Sequence, residues 1–104
     1  QLKLHDRVDL IKIDVEGAEL EVLRGSKRII EKFHPIIVFE HGLGASDYYN
    51  TKPEDIIQFF DSLQYQLFTL KGFIEDESPL SKNEFIEYYL TNKEYYFLAK
   101  LRVL

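Results

Sequence analysis

The residues best suited to chemistry in this chain of 104 fall at two places. One is the acidic hinge Asp14-Val15-Glu16-Gly17, inside VDLIKIDVEGAELEVLRG; the other is Glu40-His41, at the end of PIIVFEH. Three carboxylates and an imidazole could together take a proton from a substrate hydroxyl, hydrogen-bond a sugar, or hold a divalent cation. Gly17 would let the backbone turn or come close to a ligand. Taken singly, each hinge carboxylate has a plainer use, since Asp14 or Glu16 could cap a helix starting near Ala18. Two acidic strand ends together favour the chemical reading, because ligands of open α/β sheets bind in the crevice beyond the carboxyl ends of the strands.

Whether the four groups meet depends on the elements that carry them. Val8 to Ile13 is a short apolar, β-branched run that suits a strand buried on both faces, with Val8, Leu10, Lys12 and Asp14 on one side and Asp9, Ile11, Ile13 and Val15 on the other. Ala18 to Arg24 reads as two helical turns, with Gly25 placed for a C-terminal cap. Ser26 is positioned to cap a second helix reaching Phe33, which His34-Pro35 stops. Ile36 to Glu40 is the second buried strand. After the glycine-bearing loop 41–51, Thr51 and Glu54 form a capping-box pattern, and the helix behind it turns Ile56, Ile57, Phe59, Phe60 and Leu63 inward. YQLFTLKG is a third strand ending at Gly72, FIEDESPL an acidic loop, and Ser81 with Glu84 a second capping box for a helix burying Phe85, Ile86, Tyr89 and Leu90. EYYFLAKL closes the chain as a strand. The order β-α-β-α-β-α-β predicts one α/β domain with a largely parallel sheet. If the first two strands are parallel neighbours, roughly 4.8 Å apart, Asp14, Glu16, Glu40 and His41 gather at one rim.

Other residues carry less. Lys12, inside an apolar strand, needs a partner and reads most simply as one member of an ion pair. Glu19 and Glu21 suit a solvated helix face. HGLGAS holds Gly-x-Gly after a strand, but the third glycine of a nucleotide fingerprint would fall on Asp47. His5 and His34 read as surface residues with no metal-ligand partner. The tyrosine pairs at 48–49, 88–89 and 95–96 suit packing rather than base stacking.

Composition narrows the function classes. Hydrophobic residues at 45% and charged residues at 30% belong to a globular chain. A net charge of −5 with scattered cations argues against nucleic acid. No apolar run approaches the roughly 18 residues of a membrane span. The absence of cysteine leaves no disulfide and fits a reducing cytoplasm. Methionine is absent even at position 1, so the chain is read as processed or as a piece of a larger protein.

DLIKIDVEGAELEVLRG closely resembles the central motif of the FkbM family of S-adenosylmethionine-dependent methyltransferases. PIIVFEH resembles that family's next strand and YYFLAKL its closing strand. The resemblance implies the carboxyl-terminal part of one Rossmann-like domain: Val8–Asp14 as the fourth strand, Ile36–Glu40 as the fifth, Tyr65–Leu70 and Tyr95–Leu101 as the sixth and seventh. The expected fold is therefore a mixed four-stranded sheet in the family order 4-5-7-6, with flanking helices and an antiparallel last strand. It further implies O-methylation of a hydroxyl on a small molecule or sugar, with Asp14, Glu16, Glu40 and His41 beside the reacting groups. The family's glycine-rich cofactor loop and ribose-binding acid have no counterpart in this sequence and would precede Gln1, so the chain is not expected to bind S-adenosylmethionine tightly or turn over alone. Its first strand would then present an open edge and pair with another copy. A non-catalytic binding or assembly domain, or a metal-assisted hydrolase using the acidic rim, are the competing readings.

Overall fold

The computed structural model describes residues 9–13, 19–41, 52–91, 93–94 and 96–102. Along the chain run β1 (Leu10–Ile13), α1 (Glu19–Gly25), α2 (Lys27–Phe33), β2 (Ile36–Glu40), α3 (Pro53–Ser62), β3 (Tyr65–Thr69), α4 (Leu70–Ile74), α5 (Lys82–Thr91) and β4 (Tyr96–Leu101). The strands form one sheet in the order β1-β2-β4-β3. β1 and β2 are parallel, a pairing that the helical crossover between them permits. β4 slots between β2 and β3, antiparallel to both. This is the order and the direction that the family resemblance implies; the helix-strand alternation alone predicts a parallel sheet. Among the described residues no helix is long and apolar enough to cross a membrane.

Side chains alternate across each strand, and one face of the sheet carries most of the core. Ile13, Ile37, Phe39, Tyr65, Leu67, Phe97 and Ala99 are all buried there. They pack in one cluster with Leu20, Leu23, Ile30, Ile56, Phe60 and Phe85, so α1, α2, α3 and α5 cover this face. The centre is aromatic: the Phe39 ring lies 5.4 Å from Phe60 and 5.8 Å from Phe97, and Phe97 lies 4.7 Å from Phe85. On the other face sits the short helix α4, whose Phe73 meets Phe68 edge-on at 5.3 Å.

Several local expectations shift. β1 is not buried on both faces: Ile13 is sealed, but Leu10 is 60% exposed and Lys12 is exposed, because the helical layer covers only one side of this outer strand. The third strand ends at Thr69, not Gly72. The Thr69 hydroxyl accepts the Gly72 N–H at 2.8 Å and turns the chain into α4. Gly72 is needed there for space, since a Cβ would fall 2.7 Å from Thr69 Oγ1 and 2.8 Å from Glu77 Oε1. Ser81 and Glu84 form the reciprocal capping box, with bonds of 2.8 and 3.1 Å. Thr51, the cap expected for α3, lies outside the described residues; at Lys52 the backbone N–H donates to Asp55 Oδ2 at 3.2 Å, without a side-chain cap bond from the lysine. Ser26 stands at the N-cap of α2 without a side-chain cap bond. Gly25 remains helical, and the left-handed cap is His34, at φ 50°, just before Pro35. Leu90 is 62% exposed rather than inward. Glu21 and His34 are exposed as expected.

One long-range bond ties the start of β3 to the start of β2: the buried Tyr65 hydroxyl donates to the Pro35 carbonyl at 2.7 Å. Burial pushes this phenol from 10.0 up to about 12. Below pH 10 the phenol is neutral in both the folded and unfolded states. As pH rises through the interval up to about 12, the unfolded phenol ionises first, so folding stability falls. Urea unfolding followed through that alkaline range is expected to show this loss in the wild-type chain and a flatter limb in Tyr65→Phe.

Candidate active site

The sheet decides which sequence-predicted groups can share an opening. β1 and β2 run side by side in the same direction, in the register Ile11↔Ile37 and Ile13↔Phe39. Their carboxyl ends therefore reach one rim. Thr69, at the end of β3, belongs to that rim, and so does Tyr96, where the antiparallel β4 begins. Glu40 is the cross-strand partner of Tyr96 and is half-buried.

Glu40 and His41 do not converge. Adjacent residues at a strand end point to opposite faces. Glu40 shares parity with Val38 and Tyr96, on the α4 side of the sheet. His41 shares parity with Ile37 and Phe39, on the core side, and has no exposed surface. Its ring stacks on Phe85 at 5.7 Å and on Tyr89 at 4.8 Å, beneath α5. The imidazole expected at the rim is thus part of the aromatic layer that fixes the end of β2. Asp14 and Glu16 lie outside the described residues, as does the 42–51 loop with its Gly-x-Gly and Tyr48-Tyr49. Lys12 is exposed on the same side of the sheet as Glu40, since it pairs with Val38.

Sequence reasoning missed a feature of this rim. A groove of about 310 Å³ opens between α4 and the start of β4, lined by Leu70, Lys71, Ile74, Glu75, Glu94 and Tyr96. The signal lay in the alternation along EYYFLAKL: with Phe97 and Ala99 inward, Tyr96 must face away from the core. A larger cleft, about 660 Å³, lies at the opposite end of β3, between α3 and the Pro79–Lys82 segment. It is remote from the carboxyl ends of the parallel strands.

Among the described residues no three acidic, histidine or cysteine side chains group so that they could hold a metal ion. Nor does a cradle for a nucleotide cofactor appear among them. The two described glycines are Gly25, the last residue of α1, and Gly72, wedged against Thr69 and Glu77. Neither forms the open turn after a strand that lets a backbone approach phosphate or ribose.

A mixed sheet with an inserted antiparallel strand, and its candidate groups at the carboxyl ends of its parallel strands, defines a partial methyltransferase-type α/β fold. The chain belongs to the FkbM family: residues 2–67 match the methyltransferase FkbM domain, a span that holds β1, β2 and the acidic hinge and runs into β3. The match stops short of α4, α5 and β4, so the family assignment rests on the first two thirds of the sequence rather than on the closing strand. No curated protein and no solved structure matches the chain.

Proposed function

We propose that this chain supplies the acceptor side of an S-adenosylmethionine-dependent O-methyltransferase acting on a hydroxyl of a small molecule or sugar. The observation that carries this reading is the parallel pairing of β1 with β2, which brings the carboxyl ends of both strands, Glu40 among them, to one rim within the span that matches the methyltransferase FkbM domain. Asp14, Glu16 and Glu40 are assigned to hold the acceptor hydroxyl and take its proton; His41, sealed between two rings, is assigned to position the end of β2. S-adenosylmethionine would supply the electrophilic methyl group; the two described glycines, Gly25 and Gly72, form no cradle for it. The lack of cysteine suits a cytoplasmic setting.

Incubating the full-length gene product with methyl-labelled S-adenosylmethionine and a panel of hydroxylated acceptors tests the reading. Label is expected in an ether methyl of one acceptor class. Label found only on nitrogen, or cofactor binding with no transfer to any hydroxyl, would refute it.

We further propose self-association through β1, whose outer edge has no strand partner among the described residues and whose Leu10 is exposed. Leu10→Lys is expected to shift sedimentation of the 104-residue chain toward monomer; a wild-type chain that is already monomeric at high concentration would contradict this.

A further inference from the structure

We propose that the groove between α4 and the start of β4 is the subsite that receives a sugar ring of the acceptor, with Tyr96 as its stacking platform. This rests on the acceptor-side reading above and gives that site a substrate class. Position is the first argument. Tyr96 lies opposite Glu40 in the β2–β4 ladder. Residues so paired hold their Cβ atoms roughly 5 Å apart on one face. The groove therefore adjoins the position of Glu40 on the same face of the sheet, although Glu40 itself does not line it.

Surface chemistry is the second argument. Isolated exposed apolar side chains are ordinary. Ile74, 74% exposed, and Tyr96, 50% exposed, instead share one groove, with half-buried Leu70 beneath them. An aromatic face with two aliphatic neighbours suits the C–H face of a pyranose. Glu75 and Glu94 border the same groove and accept hydrogen bonds from hydroxyls. Among the described lining residues, two carboxylates against one cation, Lys71, disfavour a phosphorylated or carboxylated ring. The volume of about 310 Å³ lies at the small end for ligand sites, enough for one ring rather than a peptide or a macrocycle. The groove is also built firmly. Thr69 and Gly72 fix the start of α4, and Phe73 anchors the helix on Phe68.

The test uses the 104-residue chain and two probes, methyl α-glucopyranoside and cyclohexanol, followed by amide NMR shifts. The glycoside is expected to move the Ile74, Glu94 and Tyr96 resonances, and cyclohexanol is not. Tyr96→Ala should weaken glycoside binding about tenfold. Tyr96→Phe should retain it, and Glu94→Gln should weaken it. Ile74→Ser, at a largely exposed position, keeps the test decisive if Tyr96→Ala fails to fold, and should also weaken binding. Shifts confined to other parts of the chain, no shifts at all, or equal shifts with cyclohexanol would each overturn the proposal. Because binding is read without cofactor or turnover, its failure leaves the methyltransferase reading standing, and failure of methyl transfer leaves glycoside binding standing.

Discussion

Phe39→Ala is expected to cost about 3–5 kcal/mol of folding stability, the range for removing a large aromatic from a packed core. Phe39 has no exposed surface and touches two different layers. Its ring stacks on Phe60 of α3 and on Phe97 of β4. Phe97 in turn packs on Phe85 of α5. The void would open where three elements meet, so no single neighbour can collapse into it. A domain of this size holds about 5–15 kcal/mol in total, and the loss would remove much of that. Urea denaturation is expected to show a lower midpoint with little change in slope. A loss below about 1 kcal/mol would mean that the aromatic layer is not the structural centre.

Glu40→Gln is the second large effect, and it is expected in activity rather than stability. Glu40 is half-buried at the rim, and glutamine keeps its shape while removing the charge and the proton-accepting power. If Glu40 takes the acceptor proton, methyl transfer by the full-length gene product should fall roughly 10²–10⁴-fold, with the thermal midpoint nearly unchanged. His41→Gln should behave in the reverse way. It disturbs the stack on Phe85 and Tyr89, so it should lower the midpoint first and reduce activity only as the fold loosens. Equal effects of the two substitutions on turnover in folded protein would contradict the assignment of opposite faces.

Much of this was legible in the residues. The apolar run at Ile36–Glu40, the strand that begins at Tyr65 and the boxed helix start at Ser81 follow from pattern and local hydrogen bonding. The antiparallel entry of β4 does not, because periodicity is the same for either direction; only the family resemblance carried it. Two readings shift for different reasons. The two faces of β1 were read, but not that the helical layer covers only one of them, which leaves Leu10 and Lys12 exposed; Glu40 and His41 were placed at one opening without carrying the same alternation past the end of β2. Alternation separates Glu40 from His41 and Ile13 from Lys12. The short helix α4 was hidden by Leu67-Phe68-Thr69-Leu70, which continues a strand pattern until the Thr69 hydroxyl captures the Gly72 amide. The Tyr96 groove was hidden because an aromatic pair at a strand start looks like core until its parity is followed.

The central proposal is that Asp14 of the matched motif and Glu40 act on the same acceptor hydroxyl. The most direct measurement is a double-mutant cycle on methyl transfer by the full-length gene product, with Asp14→Asn, Glu40→Gln and the combination. Groups sharing a site are coupled by about 0.5–3 kcal/mol, whereas groups more than roughly 7–10 Å apart add. A double variant that loses clearly less than the product of the two single losses is the predicted result; losses that simply multiply would contradict it.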